Sequence, residues 1–264
     1  MKNYFTFYFI LGFISFTFAQ GKVAGKVNYF MIIRQPDGTA YSNPYTLYFN
    51  DESSFFTRTG NAERLMSKEE KKMASINGQQ VTNTITKSNL PQPFYYTNIK
   101  DQELIFRENV VKTMYLISDK IETIPWSLYN EHKKIGEYKC QKAKASFRGR
   151  EYTIWFTTDI PVSHGPWKLR GLPGLILEVT EETGKYEFIA NIVDLKLDNK
   201  ILNEKLERPD TKGIKGMKIY IEALKNQQKD WDAIISASLP RGSRILKDCD
   251  ICPDPNNRSL ERFK

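Results

Sequence analysis

Between Gly165 and Val179 the chain reads Gly-Pro-Trp-Lys-Leu-Arg-Gly-Leu-Pro-Gly-Leu-Ile-Leu-Glu-Val, with three glycines and two prolines in its first ten residues and an apolar run behind them. Proline fixes φ and lacks an N–H, whereas glycine reaches positive φ without steric cost. The order therefore predicts a type II turn at Leu172-Pro173-Gly174, with Pro at the second position and Gly at the third. Leu175 to Val179 then starts a buried strand whose one polar residue is Glu178. None of Gly165, Pro166, Trp167, Gly171, Leu172, Pro173, Gly174, Leu175 and Ile176 is a nucleophile, a base or a metal ligand, so the stretch reads as an architectural signature. Arg170 reads as its nearest charge, outside the turn.

The residues around it alternate as strands do. Lys22 to Ile33 places Val23, Val27, Tyr29 and Met31 on one face, and Tyr45 to Phe49 with Ser54 to Thr57 flanks a short polar loop as a hairpin. Asn61 to Val81 has no apolar period and fits an exposed helix or a loop. Phe94 to Ile99, Glu103 to Glu108 and Lys112 to Ser118 form a meander, Trp126 opens a further strand, and Tyr138 to Phe147 turns at Arg148-Gly149-Arg150 into Tyr152 to Thr157. The last hairpin pairs Leu175 to Thr180 with Tyr186 to Leu197. After Pro209 the period changes: Met217, Ile221, Leu224, Gln228, Trp231 and Ile235 recur at helical spacing. The fold expected is mainly β, an antiparallel curved sheet or open β-barrel with a C-terminal amphipathic helix packed on it.

Lys2, the apolar stretch Tyr4 to Phe18 and the small residues of Thr17-Phe18-Ala19 make a secretory signal over residues 1–19. Residues 20–240 then form a single β-rich domain and residues 241–264 a polar, poorly packed tail. Removing Lys2 with the signal takes the formal charge from +8 to +7. The basic charges are dispersed among acidic ones, which fits a solvated surface and speaks against nucleic acid. A second apolar stretch of spanning length is absent from the sequence, so no transmembrane span is expected in the mature chain. The destination expected is the periplasm, the outer membrane or the extracellular space.

Recognised chemistry is scarce. Cys249 and Cys252 form a CxxC beside Asp248, Asp250 and Pro253, surroundings that disfavour a reactive thiolate. A structural disulfide, free thiols and a metal site all remain open for the three cysteines, Cys140 included. The only histidines, His132 in a charged loop and His164 before Gly165, have no partner at metal-ligand spacing, and no metal or other cofactor is expected. GxSxG and a phosphate-binding glycine loop are both missing. Asp159, Glu178, Glu187 and Asp194 lie on strands near the signature and could serve as an acid/base pair, an arrangement that sequence cannot measure.

Gly171-Leu172-Pro173-Gly174-Leu175-Ile176 resembles the signature of the GLPGLI family. The segments Ile135 to Ala143, Phe147 to Arg150, Trp155 to Thr157, Ile160-Pro161 and Gly165 to Trp167 are similar to that family's approach to its turn. The resemblance implies an exported protein of Gram-negative bacteria with no assigned activity, encoded near outer-membrane transport genes. The predicted sheet also resembles the half-closed barrels with a helical plug of lipid-carrying exported proteins. The reading that follows is a non-enzymatic binding or interaction protein. An apolar ligand or an outer-membrane transport partner would lie on a concave face lined by Tyr48, Phe56, Trp155 and Leu177. The alternative is a carboxylate-based hydrolase acting on an envelope or extracellular substrate.

Overall fold

The computed structural model of the chain describes residues 23–36, 38–60, 63–65, 91–240 and 259–263. The signal segment, most of the 61–81 insert and the Cys249–Cys252 pair lie outside the described residues. Among the described residues there are thirteen strands: β1 (Gly25–Arg34), β2 (Ala40–Phe49), β3 (Ser53–Arg58), β4 (Glu63–Leu65), β5 (Phe94–Asn98), β6 (Glu103–Val110), β7 (Thr113–Lys120), β8 (Ser127–Ile135), β9 (Tyr138–Phe147), β10 (Arg150–Thr157), β11 (Leu175–Glu181), β12 (Tyr186–Asp194) and β13 (Lys215–Gly216). Two helices follow β12, the short α1 (Asn199–Lys205) and the long α2 (Met217–Ser238).

All the strands belong to one sheet, in the order β13-β7-β6-β5-β3-β2-β1-β12-β11-β10-β9-β8, with β4 paired to β2 off this path. Every pairing is antiparallel except that of β13 with β7. The sheet ends at β13 on one side and β8 on the other and is not closed. This is the open, curved, mainly β architecture with a packed C-terminal helix that the alternation predicts.

Residues directly opposite one another in antiparallel strands share a face. The register therefore lays Val193, Val27, Leu47, Phe56, Tyr95, Phe106 and Ile117 in one row across seven strands. All but Val193 are buried in a single core that also takes in Tyr220 of α2. Burial of side chains of this size is worth about 1.5–3 kcal/mol each. Phe56 stacks on Tyr45 at 4.7 Å between ring centroids, and Phe106 meets Tyr220 edge to face at 5.0 Å.

One period further along the same face lies a second row, Tyr29, Tyr45 and Arg58 on one side and Glu108 and Tyr115 on the other. An inward position in a β-strand is normally apolar, so Arg58 and Glu108 stand out. Helix α2 packs on this end of the sheet. Its buried residue is Tyr220, with Met217, Ala223 and Leu224 beside it, so the helix is rotated from the expected stripe and Ile235 is exposed.

The signature is built into the core. Gly171 has φ of +93°, the left-handed region that glycine tolerates. Gly174 is needed for a different reason, since its φ is not positive and a Cβ there would stand 2.0 Å from the carbonyl oxygen of Thr157. The expected type II turn, which requires positive φ at Gly174, is therefore not formed. Trp167 is buried between Phe147 and Tyr152, and Leu172, Leu175 and Ile176 are buried as well. Arg170 is not a surface charge: it is 6 % exposed and donates to the carbonyl oxygens of Lys168 and Glu122. Loss of hydration lowers its pKa to about 10.

Within the expected tail, the described residues are packed. Residues 259–263 run as a strap against the Arg148–Arg150 turn, where the Arg262 N–H donates to the Arg148 carbonyl at 2.8 Å and Tyr152 Oη donates to the Leu260 carbonyl at 2.9 Å.

Candidate active site

A cavity of about 500 Å³ opens on the inner face of the sheet where the second row ends. Its wall includes Met31, Asn43, Tyr45, Arg58, Tyr95, Glu108 and Asn109 from the strands, Lys185 just before β12 and Tyr186 at its start, Trp231 from α2, and Ser259 and Leu260 from the strap. Aromatic rings supply flat apolar surface, while amide, guanidinium and carboxyl groups supply directional hydrogen bonds. That combination suits a polar, ring-bearing molecule.

Glu108 is the carboxyl in the wall of this cavity. Tyr220 donates to its Oε2 at 2.6 Å. Its carboxyl is only partly open to the cavity, and the loss of hydration raises its pKa above the ordinary carboxylate value. Hydrogen bonds from Tyr220 and Tyr95 and the Lys168 charge act in the opposite sense, and the Glu261 charge reinforces the rise. Tyr45, Tyr95 and Tyr220 are pushed upward, chiefly by burial, and stay protonated as donors. A carboxyl held toward its neutral form at a cavity wall is the usual arrangement of a general acid.

Behind the cavity lies a buried ionic network. Lys168 Nζ, on the signature loop, pairs with Glu261 at 2.5 Å and Asp119 at 3.1 Å and sits 3.6 Å from the centroid of the Phe106 ring. Arg148 joins Asp119 to Glu122. Arg150 pairs with Glu181 at 2.8 Å, both side chains being wholly buried, and also donates to the Ser259 carbonyl.

The residues singled out by sequence do not converge on this place. Asp159 is exposed at a strand end; Glu178 pairs with Lys133, Glu187 with Arg34 and Asp194 with Lys26. His132 is an exposed residue of strand β8 rather than of a loop. His164 is buried against the Asn50 carbonyl at 2.9 Å. Of the four residues expected on the concave face, Phe56 and Leu177 are core. Tyr48 pairs with Phe55 on the opposite face from Phe56, and Trp155 carries Lys133 over its ring. Sequence reasoning missed Glu108, although the alternation Leu104, Phe106, Glu108, Val110 marks it as an acid on an apolar face.

An open sheet wrapped on its own core, with a partly buried carboxyl in a cavity of rings and hydrogen-bonding groups, defines a sheet-built domain with a polar cavity on its inner face. The profile of the family described as N-glycanase peptide, N-terminal domain, matches residues 57–216, more than half of the chain, and the chain belongs to that family. This overturns the GLPGLI assignment and, with it, the expectation of a family without an activity. The shared hexapeptide Gly171–Ile176 is fixed by packing, and a packing motif carries no chemistry. The family also overturns the non-enzymatic reading, since it is named for a glycan-cleaving enzyme.

Among solved structures, PNGF-II in its C2 crystal form superposes with a TM-score of 0.50 at 16% identity, covering 78% of this chain and 33% of PNGF-II. The P21 form gives 0.46 at 17% identity, covering 78% and 34%. An uncharacterized conserved protein from Thermus thermophilus gives 0.35 at 8% identity, covering 73% and 90%. The C2 form supports the fold, and the chain spans about a third of the length of PNGF-II. No curated protein matches the chain. Membership in the family accords with an exported protein.

Proposed function

We propose that the chain takes part in the hydrolytic release of N-linked glycans from glycoproteins outside the cytoplasm, with the Glu108 cavity as the place where the glycan-bearing substrate sits. The observation that carries this reading is the Glu108 carboxyl, dehydrated and bonded by Tyr220, in a cavity walled by Tyr45, Trp231, Arg58 and Asn43. In the step proposed, a water oxygen adds to the carbon that bears the leaving atom and the bond between glycan and carrier breaks. The leaving atom takes the proton of Glu108, while the proton lost by water passes to solvent, from which Glu108 is recharged. Trp231 and Tyr45 offer ring faces to the sugar, and Arg58 and Asn43 offer donors.

A second reading has its own observation. The chain spans about a third of PNGF-II and matches a family described as an N-terminal domain, so the Glu108 cavity would seat the substrate while cleavage takes place at another site. One experiment separates the two: the chain and its Glu108→Gln and Trp231→Ala variants are incubated with an N-glycosylated protein, and released glycan and binding are both measured. Release that falls about 10²-fold or more in Glu108→Gln supports the first reading. Binding without release, lost in Trp231→Ala, supports the second. Neither release nor binding overturns both.

A further inference from the structure

We infer that the C-terminal strap is part of the site, and that Glu261 is a positioning residue which acts on Glu108. This inference rests on the reading of Glu108 given above. Three observations carry it.

The strap completes the cavity: Ser259 and Leu260 form wall on the side that the sheet leaves open. It is held by groups whose geometry serves that purpose. Arg150 and Tyr152 point two inward side chains of β10 at the carbonyls of Ser259 and Leu260, and Lys168 anchors Glu261 at 2.5 Å. The turn beneath is shaped to receive it, because Gly149 has φ of +76° and a Cβ there would lie 2.3 Å from the Arg262 carbonyl oxygen. Any other residue at 149 would push the strap away.

The strap also brings a charge to bear. Glu261 is 4 % exposed, and while Lys168 takes its Oε1, its Oε2 has no hydrogen-bond partner among the described residues. Lys168 offsets much of the Glu261 charge, and the field that remains acts in an interior where water screens it little. Glu108 is within reach of that field and is pushed toward its protonated form by it. The other groups that face Glu108 or approach the same space are Tyr45, Arg58, Tyr95 and Tyr115 from the sheet, Tyr186 from β12, Tyr220 from the helix and Lys168 from the signature loop. Among them Lys168 opposes Glu261 electrostatically, and the strap sets the balance between the two.

The test follows the Glu108 carboxyl by ¹³C NMR titration in the full chain, its resonance assigned by loss in Glu108→Gln. Glu261→Gln removes the charge and keeps the shape, and Gly149→Ala displaces the strap without altering any titratable group. Each is expected to lower the Glu108 midpoint, the first by about half a unit or more, as loss of a like-charged neighbour or entry of water would do. Glu261→Asp should restore most of the shift. If Glu261→Gln does not fold, Gly149→Ala carries the test. A Glu108 midpoint unchanged in folded variants overturns the inference, whatever their thermal stability. The titration needs no substrate, so a failure to release glycan would sink the proposed function and leave this result standing, and the reverse holds equally.

Discussion

Gly174 stands where a Cβ would lie 2.0 Å from the carbonyl oxygen of Thr157 and 2.6 Å from its carbonyl carbon. The contact is backbone on backbone, so no side-chain rotation relieves it and β11 must shift against β10. Gly136 makes the complementary case, with φ of +58° and open space around it. Gly174→Ala is expected to lose about 1–3 kcal/mol or more from overpacking, and Gly136→Ala about 1–2 kcal/mol from the left-handed backbone alone. Gly136→Asn should recover much of the second loss and Gly174→Asn none of the first. Urea unfolding of the four variants checks this, and a Gly174→Ala protein as stable as the parent would refute the packing role. Arg170→Ala is expected to destabilise as well, since it strips a buried donor from two carbonyls.

Arg150 and Glu181 form a wholly buried ion pair, with Thr183 also donating to the Glu181 carboxylate. Removing one member leaves an uncompensated charge in the interior. Glu181→Leu is therefore expected to cost about 3–5 kcal/mol, and Arg150→Met at least as much. The double variant should cost clearly less than the sum of the singles, because it removes both charges together. A double-mutant cycle by chemical denaturation measures this, and strict additivity would rule out the coupling. Arg150→Met should show an extra loss, since it also frees the strap at Ser259.

The strands were readable because alternation is a local signal. Tyr138–Phe147 has the same bounds in the sequence and in the fold, and Arg148-Gly149 turns the hairpin with φ of 52° and 76°. The site was not readable, for a reason of distance. Lys168 and Glu261 are 93 residues apart, and in sequence one is a charge in a proline-glycine loop and the other a charge in a polar tail. Only the folded sheet turns both inward. Asp159, Glu178, Glu187 and Asp194 attracted notice because they lie beside the signature, whereas Glu108 lies on a strand remote from it. The inward phase of Leu104 and Phe106 was the signal that could have found it.

Cys140 is the free thiol among the described residues, and it is wholly buried. Burial raises its pKa to about 11, with the Lys133 charge acting the other way. The thiolate is the reactive form, so at pH 8 Cys140 is expected to resist a thiol reagent in the native protein and to react after unfolding in urea. If Cys249 and Cys252 form a disulfide, the count is zero native and one unfolded. Rapid native labelling at Cys140, located by mass spectrometry, would contradict its burial, and three thiols on unfolding would exclude the disulfide.

His164 is buried against the Asn50 carbonyl, and its pKa falls to about 4 from an ordinary 6.5, first from loss of hydration and then from the Arg170 charge. The ring must therefore stay neutral in the native state, while in the unfolded chain it takes up a proton near pH 6.5. Between these values the unfolded state binds more protons, so stability rises with pH across the window from about 4 to 6.5. This contribution is complete above the upper value and is lost as pH falls toward the lower one, amounting to about 3 kcal/mol over the whole window. His164→Gln, which keeps an N–H to offer the Asn50 carbonyl, removes the titration. The free energy of unfolding of the parent is expected to fall more steeply than that of the variant between pH 7 and pH 4.5, with the two curves parallel above pH 7. Other carboxylates titrate in the same range in both proteins and cancel in the difference. Parallel curves across the whole range would mean that His164 accepts its proton in the folded state at an ordinary pH, which a sealed, neutral ring cannot do.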